Sequence, residues 1–318
     1  MITQFLCRLT RPLPQPPKMR RQIMIERKFT LPKLAGNLYV TDLDGTLLNT
    51  EGKLSTSAIK RLNFLLPRMN ITFATAREYA AAMPPLAQLD INLPLVVANG
   101  AFIYDPETGS PIEACYHSQA TLIYLDALFR QCYPLTPHVH TRIANRDIVI
   151  FYPESLSDGG KYYADHAQNP ERFRLLPGPV AKAKLDNLYA GDVYCINLID
   201  SYSVLLPIYE ELKNKSELFI LFQQELYRPE WWLAVYPATA HKGLALNKLK
   251  NLIPGIKRVI TFGDTDNDLP LLTASDYGIA VANASDVLKT KANLVIGANY
   301  EEAVINYLWH EYLTNYPD

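Results

Sequence analysis

Apolar and polar positions alternate along this chain in two textures. From Leu38 a short apolar run, Leu38-Tyr39-Val40, predicts a strand that leads into Thr41-Asp42-Leu43-Asp44-Gly45-Thr46. Ser55, Thr56 and Ser57 are good helix caps. After them Ile59, Leu62, Leu65 and Leu66 recur on one face at helical spacing, and Pro67 ends the element. Ile71 to Ala74 is a second predicted strand, ending at Thr75. A helix through Glu78 to Met83 is expected to stop at Pro84-Pro85. Leu95 to Ala98 is a third strand, ending at Asn99-Gly100. Short apolar strands alternating with helices predict parallel βαβ units.

The stretch from about 105 to 230 is different: rich in Tyr, Pro and scattered polar residues. Strand-like runs lie at Asp147 to Tyr152, Val193 to Leu198 and Leu218 to Phe222, with a helix between Ser201 and Lys213. Turn signals at Asp105-Pro106 and Arg228-Pro229 flank this segment. After Pro237 the first texture returns. Lys242 to Leu252 reads as a helix, and Val259 to Phe262, Gly278 to Val281 and Leu294 to Ile296 as short strands. The expected fold is an α/β domain, a doubly wound and mostly parallel sheet built from 37–104 and 232–318, interrupted by an inserted α+β domain at 105–231.

Composition narrows the function. A chain of 318 residues with a formal net charge of -1 gives no electrostatic reason to expect nucleic acid or an anionic membrane surface as partner. The apolar run from Leu93 to Tyr104 is too short to span a bilayer. Cys7, Cys115, Cys132 and Cys195 are widely spaced, which suits free thiols in a reducing cytoplasm better than disulfides or a zinc site. Residues 1–36 form a basic, proline-rich stretch in which Arg8, Arg11, Lys18, Arg20, Arg21, Arg27 and Lys28 face Glu26. It is expected to be a poorly ordered extension, with Met19 and Met24 as alternative starts. The oligomeric state is left open.

Candidate chemistry sits directly after predicted strands or at a helix start: Asp42/Asp44, Thr75, Lys242 and Asp264/Asp268. Loops at the carboxyl ends of a parallel sheet converge on one crevice, so residues far apart in sequence can share a site. Four carboxylates around one ammonium would repel one another unless a cation intervenes. Oxygen ligands without Cys or His suit Mg²⁺ and disfavour zinc. Such an ion with a lysine and a threonine hydroxyl makes a phosphoryl-binding site. A carboxylate at Asp42 can attack phosphorus. Asp44, two residues on, can protonate the leaving oxygen and then take a proton from water.

These residues carry a resemblance. Asp42-Leu43-Asp44-Gly45-Thr46-Leu47-Leu48, Ala74-Thr75-Ala76-Arg77, Lys242-Gly243-x-Ala245-Leu246 and Gly263-Asp264-x-x-Asn267-Asp268-x-Pro270-x-Leu272 resemble, in order, the four motifs of the haloacid dehalogenase-like hydrolase superfamily. Asn99-Gly100-Ala101 and Gly278-Ile279-Ala280-Val281-Ala282-Asn283-Ala284 resemble further signatures of its Cof-type (IIB) phosphatase branch. The insertion between the second and third motifs matches the position of that branch's cap, which would select the substrate.

The resemblance implies Asp42 as nucleophile and Mg²⁺ ligand, and Asp44 as acid/base lending its backbone carbonyl to the metal. Thr75 and Lys242 would hold the phosphoryl group, with Asn99 and Asn267 as further phosphate-binding candidates and Asn283 near them. Asp264 would be the main further metal ligand. Asn267 and Asp268 would complete the shell or orient Lys242. Ala76 and Ala282 stand where the pattern usually has glycine. The implied activity is Mg²⁺-dependent hydrolysis of a small phosphate monoester, a sugar phosphate for example, through an aspartyl-phosphate. A phosphomutase on the same scaffold and a non-catalytic phospho-ligand binder are the rivals.

Other residues carry less. Adjacent strand residues face opposite ways, so at least one of Trp231 and Trp232 is expected in a core. His138, His140, Arg142 and Arg146 are read as solvated surface or as contacts to a polar leaving group, and His241 as a cap.

Overall fold

A computed structural model describes residues 36–131, 135–167, 170–178, 185–224 and 228–315. The basic extension, apart from Gly36, lies outside them, as do Cys7 and Cys132. The chain runs β1 (Asn37–Thr41), α1 (Thr56–Leu65), β2 (Asn70–Phe73), α2 (Tyr79–Leu86), β3 (Leu95–Val97), β4 (Phe102–Asp105) and β5 (Ser110–Ala114). It continues through α3 (Gln119–Gln131), β6 (His138–Ile143), β7 (Arg146–Phe151), α4 (Asp158–Asp165), β8 (Phe173–Leu175), α5 (Leu185–Leu188), β9 (Asp192–Asp200), α6 (Tyr202–Leu212), β10 (Leu218–Gln224) and β11 (Trp231–Pro237). The last third holds α7 (Lys242–Leu252), β12 (Arg258–Gly263), α8 (Leu269–Thr273), β13 (Tyr277–Ala280), α9 (Asp286–Lys291), β14 (Leu294–Val295) and α10 (Ala303–Asn315).

Two compact units emerge. Among the described residues, the larger contains 36–116, Leu206–Gln223 and everything from Leu233 on; the smaller contains those of His117–Leu205 and Gln224–Trp232. In the larger unit a five-stranded sheet has the order β14-β13-β12-β1-β2, with each neighbouring pair parallel. Both faces of a parallel sheet are covered, so its strands are apolar throughout rather than alternating. Accordingly Leu38, Val40, Ile71, Phe73, Val259, Ile260 and Phe262 are all buried. Leu38, Val40 and Val259 pack with Ala245, Leu246 and Leu249 of α7. β1 is followed by β2 on one side and paired with β12 on the other, which makes its carboxyl end a point where connections diverge and a crevice opens.

Local chemistry sets the helix ends. The Ser55 hydroxyl accepts from Ala58 N at 3.0 Å, starting α1 as the cap reading predicts. Helix α7 spans the residues expected of it. Helix α2 does not stop at Pro84-Pro85 as expected but runs on to Leu86. A proline at 85 removes the N–H that would bond the Ala81 carbonyl, and Arg77 Nη1 supplies a donor there instead, at 3.1 Å. The third predicted strand also departs from a simple βαβ reading. β3 pairs antiparallel with β4, and β4 with β5, in a separate three-stranded sheet. An isolated parallel bridge, Ala74 with Val96, continues β2 toward β3.

In the smaller unit β6 pairs antiparallel with β7 and β9, and β7 parallel with β8. The β6–β7 turn is made by Ala144 and Asn145, both left-handed, which matches the strand twist of a tight hairpin. His138 and His140 are buried within β6, which overturns the surface reading of both. His140 Nε2 lies 3.0 Å from Asn197 Nδ2, and Asn197 Oδ1 accepts from Cys195 Sγ at 3.2 Å. Arg142 pairs with Asp147 across the hairpin at 3.1 Å, while Arg146 is exposed. Neither Trp231 nor Trp232 is fully buried, correcting the expectation of a core residue between them. Each half-buried ring packs on a tyrosine instead, Trp231 on Tyr202 and Trp232 on Tyr163. Among the described residues no helix is long and apolar enough to cross a membrane.

Candidate active site

The site is built at the carboxyl ends of β1 and β12 in the larger unit. Asp42 follows β1 directly, and its backbone N–H donates to Phe262 O at 3.1 Å, so the strand pairing fixes where its side chain begins. Asp264 follows β12. Between Asp44 and Thr46 the chain turns through Gly45 at φ +75°, where a Cβ would lie 2.1 Å from Asp264 Oδ2. Glycine is required there on both counts. Thr46 then donates its hydroxyl to Asp264 Oδ1 at 3.0 Å. The first and fourth motifs therefore lock together through Gly45 and Thr46, and Thr46 is a residue to which the sequence reading gave no task.

Lys242 is the first residue of α7 and is fully buried. Its Nζ donates to Asp42 Oδ1 and to Asp268 Oδ1, both at 2.6 Å. Asp268 uses its other oxygen to accept from the backbone N–H of Asp264 at 3.1 Å and of Thr265 at 3.4 Å. One ammonium thus stands between two buried carboxylates, with a third, Asp264, nearby. Burial alone would lower the Lys242 pKa, but Asp268 and Asp42 outweigh it and hold the ammonium above its ordinary value. Asp42 is pushed well above the usual carboxylate range by burial, which Lys242 offsets only in part while Asp268 and Asp264 add repulsion. Burial and Asp268 likewise raise Asp264 to about 7.

That surplus of negative charge bears on a metal. Carboxylate oxygens of Asp42, Asp264 and Asp268 all lie within 4.8 Å of one another, and all three residues are buried. An all-oxygen cluster with excess negative charge fits a hard divalent cation. Asp268 already spends both oxygens on Lys242 and the backbone, leaving Asp42 and Asp264 as the carboxylates with capacity to spare.

The remaining sequence candidates fall in different places. The Asp44 carboxylate is half-exposed and turned to Arg77, whose Nε and Nη2 donate to its two oxygens at 2.7 and 2.5 Å. Thr75 is buried, accepts from Arg77 N at 3.1 Å, and through its carbonyl accepts from Asn99 N at 2.9 Å. Asn99 is fully buried, and neither atom of its side-chain amide has a hydrogen-bond partner among the described residues. Asn267 Oδ1 accepts from Thr265 Oγ1 at 2.5 Å. Asn283 is occupied in holding the loop: its Nδ2 donates to Gly45 O at 2.8 Å and its Oδ1 accepts from Asn299 N at 2.9 Å. His241 caps α7, accepting from Leu244 N at 3.2 Å. Ala76 and Ala282 are not among the left-handed residues, so alanine meets no backbone strain at either position. Arg77 lies within the second motif, and its bidentate geometry appears only once the fold joins it to Asp44.

Residues 39–308 match the family model described as haloacid dehalogenase-like hydrolase. The chain belongs to that family. A 5-amino-6-(5-phospho-D-ribitylamino)uracil phosphatase of Bacillus subtilis, YitU, is 25% identical, over 85% of this chain and 96% of its own. An HMP-PP phosphatase of Serratia proteamaculans is 29% identical, over 87% of this chain and 97% of its own. In fold the chain is similar to the crystal structure of TM0651 from Thermotoga maritima, with a TM-score of 0.67 at 22% identity, covering 87% of this chain and 97% of that one. Within the family, and beside relatives named as phosphatases, the chain is a phosphoric monoester hydrolase.

Proposed function

We propose that this member of the haloacid dehalogenase-like hydrolases is a Mg²⁺-dependent phosphatase that hydrolyses a small phosphate monoester through an aspartyl-phosphate on Asp42. The observation that carries the reading is the buried Asp42 carboxylate at the end of β1, bonded to Lys242 and crowded by Asp264. Asp42 and Asp264 would hold the Mg²⁺, with the backbone carbonyl of Asp44; the ion would neutralise surplus charge and polarise phosphoryl oxygens. Lys242 and Thr75 bind the phosphoryl group. The unpartnered Asn99 amide is a further donor toward it, since a buried amide without partners is costly unless a ligand or water completes it.

In the reaction, an Asp42 oxygen bonds to phosphorus as the ester oxygen departs, and Asp44 supplies that oxygen with a proton. Asp44 then takes a proton from water as the water oxygen attacks phosphorus, freeing phosphate and restoring Asp42. Asp268 orients Lys242, with both of its oxygens committed. The relatives' named substrates, 5-amino-6-(5-phospho-D-ribitylamino)uracil and HMP-PP, support a small phosphorylated metabolite as the substrate class, a sugar phosphate being one such ester. Substrate selection is assigned to the inserted segment 105–231 on its position between the second and third motifs.

A panel of phosphate monoesters assayed for phosphate release with Mg²⁺, and again after chelation, tests this. Turnover that needs Mg²⁺ and disappears in Asp42→Asn is expected. Activity surviving Asp42→Asn would overturn the nucleophile assignment.

A further inference from the structure

Arg77 has no task in the mechanism above, yet few side chains in the site are held so completely. Its Nε and Nη2 form a planar fork on both oxygens of Asp44. Its third donor group, Nη1, reaches the Ala81 carbonyl at 3.1 Å. That carbonyl is open for a chemical reason. In α2 the N–H of residue 85 would close onto residue 81, but residue 85 is proline and has none. The Arg77 backbone is fixed as well: its N–H donates to Thr75 Oγ1 at 3.1 Å, and its carbonyl accepts from Ala98 N at 2.7 Å. Asp44, by contrast, stands on a loop with 52% of its side chain exposed. Without the fork it would sample several rotamers.

We propose that Arg77 is a positioning residue for Asp44, held in place by the carbonyl that Pro85 leaves open in α2. The claim rests on the reading of Asp44 as the acid/base group. The guanidinium plane selects one placement of the carboxyl, and the helix behind it prevents the guanidinium from following the loop. Lysine, a point donor without the fork, cannot reproduce this. The Pro84-Pro85 pair, which on its own reads as a helix breaker, becomes part of the site's framework.

A double-mutant cycle on the full chain, with p-nitrophenyl phosphate and Mg²⁺, tests the proposal. Arg77→Met is expected to lower kcat about 10- to 100-fold with KM changed less than about twofold, as misplacement of a reacting group does. Arg77→Lys should recover little of that loss. Pro85→Ala, which restores an N–H to compete for the Ala81 carbonyl, should lower kcat a few-fold with the melting temperature unchanged or raised. In an Asp44→Ala background the Arg77 and Pro85 substitutions should have almost no further effect, because the group they place is gone. Multiplicative losses in that background, or full activity of Arg77→Met in the wild-type background, would overturn the positioning role. A wild-type kcat in Asp44→Ala alone would instead overturn the acid/base reading, so the two failures are distinguishable.

Discussion

Lys242 occupies a place that helix electrostatics disfavour, since a cation in the first turn of α7 meets the positive end of the helix dipole. Two aspartates supply the compensation, and in doing so they are left over-concentrated. At Asp42 burial raises the pKa further than Lys242 can lower it. A neutral isostere should therefore relieve the folded state while removing the proposed nucleophile. Asp42→Asn without added metal is expected to melt higher than the wild type, by about 2–4 °C for each kcal/mol released, and to show no turnover. Scanning calorimetry beside the phosphate-release assay would check both halves; a lower melting temperature would mean that Asp42 is a net structural support. At this scale much was legible from sequence. Asp42, Lys242, Asp264 and Asp268 stand at strand ends or a helix start, where a parallel sheet gathers its loops. Thr46, Arg77 and the occupied amide of Asn283 were not, because their roles are defined by partners 33 to 238 residues away.

At the scale of elements, the turn after β3 is the most constrained piece of backbone. Ala98, Asn99 and Gly100 are all left-handed in succession, at φ 48°, 56° and 98°. The first two are non-glycine residues in a conformation that L side chains enter at a cost. They are held there by bonds to the Arg77 and Thr75 carbonyls, and Gly100 lies against the backbone that begins α7. A Cβ at residue 100 would lie 2.4 Å from the His241 carbonyl carbon. Gly100→Ala is therefore expected to destabilise the larger unit by about 3 kcal/mol or more in urea unfolding, and to slow catalysis because Lys242 starts at the displaced backbone. A loss below 1 kcal/mol would show that the two segments yield easily. The sequence pattern marked this turn by its Asn-Gly pair but could not show three left-handed residues. It also ended α2 too early, since a proline's missing donor can be replaced by an arginine that only the fold brings near. Helix α10, with Val304, Ile305, Leu308 and Tyr312 buried, was overlooked despite its periodic apolar face.

For the molecule as a whole, the smaller unit was the least legible. Strand β6, His138-Val139-His140-Thr141-Arg142-Ile143, looks polar, yet its first four residues are buried. The first of its two buried histidines has a consequence for stability. His138 lies against Phe151 and Tyr163, and burial, reinforced by His140 and weakly opposed by the Gly160 backbone, lowers its pKa from 6.5 to about 3. Between those values the unfolded chain binds a proton that the folded one does not. Stability from this group is complete above pH 6.5 and is lost as pH falls toward 3. The slope is about 1.4 kcal/mol per pH unit. His138→Phe should remove that slope, so on going from pH 7 to 5 the wild type should lose about 2 kcal/mol more than the variant in urea unfolding. Equal losses would mean that His138 takes up its proton in the folded state.

The pairing of β1 with β12 joins the two ends of a very long excursion, for Lys242 and Asp42 are 200 residues apart when they meet. Closing so large a loop costs entropy, but that cost grows only with the logarithm of its length, about 0.6 kcal/mol for each doubling. The sheet is therefore almost indifferent to how much chain is threaded between its halves. Evolution can lengthen, trim or exchange the intervening segment at little thermodynamic penalty to the scaffold.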